Sequence, residues 1–241
     1  MYKGIYVAMT GAMIRDQELD NVAHNLANAN TTGYKRTSFS SRLYPLLEGM
    51  ADKQKAAYSN ANAMTYFGQY SIDASDGDVR ATGNPLDLAL RGDGYFAVQG
   101  NNKIYYTRNG NFSLNKSGYL VDGTGQQVLD TANKPIHIEG SSIQVIADGT
   151  VFADGNTIGK LKMVKLDQSS MEQIGNSMLS GTETGASDAQ IQQGSLEMSN
   201  VNPIKEMVGI ISASRQFEAA QTVIKNFDTL AEKTVTQIAK V

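Results

Sequence analysis

The chain has 241 residues, a formal net charge of −3 and neither cysteine nor tryptophan. Lacking cysteine, it has no disulfides, thiolate metal sites or thiol chemistry, and its mild acidity argues against a nucleic-acid footprint, which takes a basic patch. No window approaches the ~18 consecutive apolar residues of a membrane span, so direct membrane insertion is not expected. The opening Met1-Tyr2-Lys3-Gly4-Ile5-Tyr6 soon meets Arg15, Asp16, Glu18 and Asp20, which does not read as a cleaved secretory signal.

From Lys3 to about Asn28, apolar or small residues recur at Ile5, Ala8, Ala12, Leu19, Val22 and Leu26. Steps of three, four and seven residues put them on one helical seam, as in a coiled coil. Asn30-Thr31-Thr32-Gly33 supplies the stop, with Gly33 free to take positive φ. Residues 1–33 therefore read as an N-terminal helix and 34–69 as an extended, loosely ordered linker. Its 49–68 part is rich in Ala, Asn and Lys and has little apolar periodicity.

Residues 70–179 read as a mostly antiparallel β domain, a curled sheet or small barrel. Leu86, Leu88 and Leu90 alternate with Asp87, Ala89 and Arg91, the pattern of a half-buried strand. Tyr95-Phe96-Ala97-Val98 and Ile104-Tyr105-Tyr106-Thr107 predict two more strands. Asp76-Gly77, Asp93-Gly94, Asn109-Gly110, Asp122-Gly123, Asp148-Gly149 and Asp154-Gly155 read as hairpin turns. Residues 180–201 are expected to be a polar connector with a short extended run from Leu196 to Val201.

Residues 202–241 form the C-terminal helix, opened by Asn202 as cap and Pro203 at the first helical position. Its seam is Ile210, Ala213, Phe217, Ala220, Ile224, Phe227, Ala231 and Ile238. The fold class is thus α+β: long terminal helices forming a coiled-coil-like core, with the β domain inserted between them. At ~1.5 Å per residue the helices reach ~40 Å and almost ~60 Å. Because a lone helix needs a packed seam to persist, both segments are expected to be largely disordered until they assemble. The seam partner is a neighbouring copy or, alternatively, the chain's own other helix.

No catalytic, metal or cofactor site is legible. His24 and His137 lie in different elements, without companions at ligand spacing. Asp73, Asp76 and Asp78 lack the glycine and the final glutamate of a calcium loop. Gly92-Asp93-Gly94-Tyr95-Phe96-Ala97 matches a dinucleotide fingerprint, but a strand follows it where that motif needs a helix. Ser113-Leu114-Asn115-Lys116 sits between hairpin signals and lacks the companion motifs of a Ser/Lys acylase. An enzyme is not expected.

Several stretches resemble the bacterial flagellar basal-body rod and hook proteins. Asn25-Leu26-Ala27-Asn28-Ala29-Asn30-Thr31-Thr32-Gly33-Tyr34-Lys35-Arg36 is similar to their N-terminal signature. Thr82-Gly83-Asn84-Pro85-Leu86-Asp87, Gly92-Asp93-Gly94-Tyr95-Phe96 and Tyr106-Thr107-Arg108-Asn109-Gly110 are similar to the central one. Leu196-Glu197-Met198-Ser199-Asn200-Val201 resembles the lead-in to the last helix. His24 and Met198 depart from the pattern, standing where Asn and Gly are common.

The resemblance implies a structural subunit of the rod, the drive shaft that carries motor torque to the hook. It implies terminal helices in the inner core of the tube, partners among copies of itself and other rod proteins, and passage through the flagellar type III export apparatus to the periplasm. Length and the opening Ile5-Tyr6-Val7-Ala8-Met9 point to the proximal rod, with the distal rod as the alternative. From a different class, a secreted β-domain binding module on a coiled-coil stalk is the rival.

Overall fold

The computed structural model describes residues 2–40, 42–44, 64–66, 70–100, 103–140, 142–175 and 177–238. The chain divides into two compact units. One comprises Met1–Leu26, Ser38–Tyr70 and Pro203–Val241, and the other Ala27–Thr37 and Ser71–Asn202.

The first unit is built on two helices, α1 (Tyr2–Ala27) and α2 (Pro203–Ile238). An added Cβ on Gly4 would come within 2.8 Å of the Phe227 ring, and one on Gly209 within 3.2 Å of Val22. These two contacts run in opposite chain directions, so the helices pack antiparallel. Both segments are helices in this structure, and each covers part of the other's seam, which supplies packing that propensity alone does not. No described helix is long and apolar enough to cross a membrane.

Short strands β1 (Thr37–Phe39), β2 (Arg42–Tyr44), β3 (Met64–Tyr66) and β4 (Tyr70–Ile72) follow α1, with β2 and β3 antiparallel. Apart from 64–66, the 49–68 stretch lies outside the described residues.

The second unit holds β5 (Val79–Ala81), β6 (Leu88–Arg91), β7 (Tyr95–Gln99), β8 (Ile104–Thr107), β9 (Ser113–Leu114), β10 (Leu120–Val121) and β11 (Gln127–Val128). After these come β12 (Ile143–Val145), β13 (Thr150–Ala153), β14 (Asn156–Lys160), β15 (Met163–Leu166), β16 (Glu172–Gly175), β17 (Met178–Ser180), β18 (Glu183–Ala186), β19 (Gln190–Gln193) and β20 (Ser195–Glu197). The main sheet runs β16-β17-β8-β7-β11-β10-β9, with β15 pairing both β7 and β18. Every pairing with a stated register in this unit is antiparallel.

Strand β7 is the centre of the unit and is covered on both faces. Phe96 and Val98 enter one apolar cluster with Leu88, Leu90, Val128, Val151 and Leu161. Tyr95 and Ala97 enter another with Tyr106, Leu129, Val164 and Leu179. Each large apolar side chain so buried contributes ~1.5–3 kcal/mol. Strand β6, which the alternation predicted to be half-buried, is buried more fully. Leu88, Ala89 and Leu90 are all buried and only Arg91 is exposed.

Three of the six predicted hairpin turns form. Asp122-Gly123 joins β10 to β11, Asp148-Gly149 joins β12 to β13, and Asp154-Gly155 joins β13 to β14. The last has Asp154 at φ 48° and Gly155 at φ 85°, as a type I′ turn requires. The other three do not join paired strands. Asp76-Gly77, Asp93-Gly94 and Asn109-Gly110 are places of tight packing: a Cβ on each glycine would strike Met198 O, Ser187 Oγ or Leu88 O respectively.

The polar stretch read as a connector is also sheet. Strand β18 pairs with β15, β19 with β6, and β20 with β5. These strands escape a periodicity reading because β18 is exposed throughout and carries no apolar alternation. Backbone pairing, which is blind to side chains, holds it.

Candidate functional site

The signature residues gather into three polar nodes of the second unit. The deepest is centred on Glu197, at the end of β20. Its carboxylate accepts from Lys35 Nζ at 2.6 Å and the Gly77 N–H at 2.9 Å through Oε1, and from Arg108 Nη1 at 3.0 Å through Oε2. Lys35 also donates to the Ser75 carbonyl at 2.6 Å, and Arg108 to Asp76 at 3.3 Å and to the Gly92 carbonyl at 2.8 Å. The side chains of Glu197, Arg108 and Lys35 are 0%, 1% and 2% exposed. The guanidinium lies 5.2 Å from the centroid of the Tyr95 ring, a cation–π contact. Burial pulls the Lys35 ammonium below the ordinary lysine value, while its bond to Glu197 works against that shift.

The backbone is shaped to this node. Gly33 takes φ 65°, its N–H donates to the Glu197 carbonyl at 2.8 Å, and a Cβ there would collide with the Asn109 backbone. Gly77 donates to the carboxylate from beside Met198 O, where no side chain fits. A buried ion group of this kind costs desolvation about as large as its Coulomb gain. What it supplies is direction: each donor must approach along a fixed line.

The second node is Asp87. It accepts from Thr82 Oγ1 at 2.6 Å, Asn84 Nδ2 at 3.0 Å and Asn111 Nδ2 at 3.1 Å, while its carbonyl takes the Gly194 N–H at 2.8 Å. Asn84 Oδ1 accepts the Leu86 N–H across Pro85, and Gly83 turns the chain at φ 76°. In the third node Asn200 accepts the Arg36 N–H at 2.7 Å and donates to the Asp73 and Ser75 carbonyls at 2.9 and 3.1 Å. Gly92 has φ 96° and Leu196 is buried. Gly94, beside Ser187, and Gly110, beside Leu88, are packing glycines. Ser199 Oγ accepts the Val201 N–H at 3.2 Å. Asp76, Gly77, Ser75 and Tyr95 complete the Glu197 node and were not singled out as site residues; the Asp-Gly spelling at 76–77 disguised two of them as a turn.

The seam residues lie on α1 and α2 of the other unit. Ala12, Val22 and Ala213 are buried there. Ile5, Ala8, Leu19, Leu26, Ile210, Phe217, Ala220, Ile224 and Phe227 are half-buried, and Ala231 is exposed. Ile238 ends α2, and its side chain is outside the described residues. Asn25 is wholly buried and Asn28 half-buried. The seam reading missed a second set of large apolar residues that stay exposed: Tyr6, Met9 and Met13 on α1, and Ile204, Val208 and Ile211 on α2. The 204/208/211 spacing was its signal.

Nothing in the nodes is arranged for chemistry. Glu197 and Asp87 are each saturated by three donors, and no described group of three His, Cys, Asp or Glu residues is placed to hold a metal. His137 bonds Ser117 O at 2.8 Å, and Ser113-Leu114 is β9 while Asn115-Lys116 opens the β9–β10 turn, Asn115 accepting from the Ser117 and Tyr119 N–H groups.

Comparison with known proteins matches three segments of the chain to family profiles. Residues 5–35 match "Flagella basal body rod protein", 89–153 the "Flagellar hook protein FlgE/F/G D1 domain", and 192–238 the "Flagellar basal body rod FlgEFG protein C-terminal". The chain is 30% identical to the flagellar basal-body rod protein FlgF of Mesorhizobium japonicum over 98% of this chain and 97% of that protein. It is 31% identical to FlgF of Caulobacter vibrioides over the whole of both, and 30% identical to the rod protein FlgG of Bacillus subtilis over 98% of each. Profiles at both ends and in the middle agree with likeness along nearly the full length, and the chain belongs to the flagellar basal-body rod protein family.

Proposed function

We propose that the chain is a structural subunit of the proximal rod, whose terminal helices pack with copies of itself and other rod proteins into the wall of a torque-carrying shaft. As a member of a structural rather than enzymatic family, it belongs to the flagellar basal body and works with other rod components. The proximal position rests on the FlgF relatives. Export through the flagellar type III apparatus, assembly in the periplasm and coiled-coil packing along the Ile5–Leu26 and Ile210–Ile238 seams are parts of the same proposal.

One observation carries it. With α1 and α2 packed on each other, Tyr6 remains 57% exposed in a row with Met9 and Met13 on α1, and Val208 62% exposed in a row with Ile204 and Ile211 on α2. A row of that kind marks an interaction surface, and helices that present it fit a polymer of like subunits.

The test compares two variants in cells lacking their own copy of the subunit. Val208→Asp puts a charge on the exposed row and is expected to block incorporation while helix content and β-unit unfolding of the purified chain stay unchanged. Ile224→Asp is expected to block incorporation and to loosen α1 from α2 as well, because the charge is half-buried inside the chain. Rods assembled normally from Val208→Asp protein would defeat the proposal.

A further inference from the structure

We infer that Lys35, Glu197 and Arg108 form a clasp that makes three segments distant in sequence, 27–37, 71–77 and 197–202, open and close as one cooperative element. The inference stands on the bonds and not on the rod-subunit reading.

Segments 27–37, 71–77 and 197–202 all belong to the β unit and are widely separated in sequence. Each is bonded to the others. Lys35 ties the first to the second through Ser75 O and to the third through Glu197. Arg36 takes the Asp73 N–H at its carbonyl, and its own N–H donates to Asn200. Gly77 donates to Glu197, and the Met198 N–H donates to the Asp78 carbonyl at 2.8 Å. Arg108 then fastens the group to the sheet, since it directly follows β8, which pairs with β7 and β17.

The physical choice of an ionic centre fits this task. Apolar side chains of equal volume would close the space with as much stability or more, but they slide. A carboxylate that receives one donor from each of three segments holds them in a single geometry. Segments fastened this way open together, as one cooperative element.

The test uses the purified full-length chain and native-state amide exchange. In the wild type, the N–H groups of Gly33, Arg36, Asp73, Gly77 and Met198 are expected to exchange together, through one opening that β7 does not share and faster than β7. In Lys35→Met, which keeps the volume and removes the charge, they are expected to lose at least tenfold in protection together. Independent exchange of these amides in the wild type, or a loss in Lys35→Met confined to Gly33 and Arg36, would overturn the clasp.

A second variant, Lys116→Met, removes an exposed lysine of the β9–β10 turn and should change neither set.

Discussion

Three glycines that share one sequence signal make a sharp test, because the structure gives two of them different reasons to be glycine and the third none. In Gly110→Ala the new Cβ would lie 2.8 Å from the Leu88 carbonyl carbon and nearer still to its oxygen, below the 3.0 Å floor of real Cβ contacts. The obstacle is backbone of β6, so no rotamer change relieves it. Overpacking of this kind costs ~1–3 kcal/mol. Movement also strains the bond from the Leu88 N–H to the Gly110 carbonyl at 3.0 Å, worth ~1 kcal/mol.

A total near ~3 kcal/mol corresponds to a fall in melting temperature of roughly 6–12 °C for a chain of this size. Gly155→Ala meets nothing within 4 Å, but its φ of 85° costs an L-residue ~1–2 kcal/mol. Gly123→Ala meets neither obstacle and should be neutral, or stabilising by up to ~1 kcal/mol through the unfolded chain. Urea unfolding followed by tyrosine near-ultraviolet circular dichroism reports on the β unit through the buried Tyr34, Tyr95 and Tyr106. Gly110→Ala costing no more than Gly155→Ala would mean that Asn109-Gly110 is an ordinary turn and that the packing argument is wrong.

Two further outcomes are expected. Glu197→Gln leaves Lys35 and Arg108 buried opposite a neutral amide, which should destabilise the β unit by ~3–5 kcal/mol; a loss under ~1 kcal/mol in urea titrations would contradict the assignment of Glu197 as the centre of the node. Bonds from the Ser75 hydroxyl and N–H hold Asp73 below the ordinary aspartate value of 3.8. The native carboxyl therefore gives up its proton more readily than the unfolded one. Its contribution is complete above that value and is lost as pH falls through the lower native value. The stability gap between wild type and Asp73→Asn should accordingly narrow as the pH is lowered from about 6 to about 3, and a gap that widens would refute the bond's role.

Much of this chain is written in local pattern. The apolar steps along α1 and α2 announce helices because burial with period 3.6 leaves few other options. Pro203 opens α2 for the local reason that its missing N–H is not needed there. Tyr95-Phe96-Ala97-Val98 is too apolar for a surface strand, and it became the strand between two cores. Asp154-Gly155 made its hairpin because both residues tolerate positive φ.

What local pattern could not carry was everything fixed by a partner far along the chain. Glu183-Thr184-Gly185-Ala186 looks like loop and is strand, since only β15 supplies its reason. Asp76-Gly77 and Asn109-Gly110 look like turns, yet their glycines exist for Met198 O and Leu88 O. Lys35, Arg108 and Glu197 were legible as signature residues but not as one group, for nothing in three separate segments states that a single carboxylate will receive both cations. The sequence by itself determined the two terminal helices, the apolar strands such as β7 and the turn at Asp154-Gly155, because those follow from neighbours a few residues away. Tertiary structure alone decided which charges meet and which glycines are irreplaceable, because both depend on backbone brought close from distant parts of the chain.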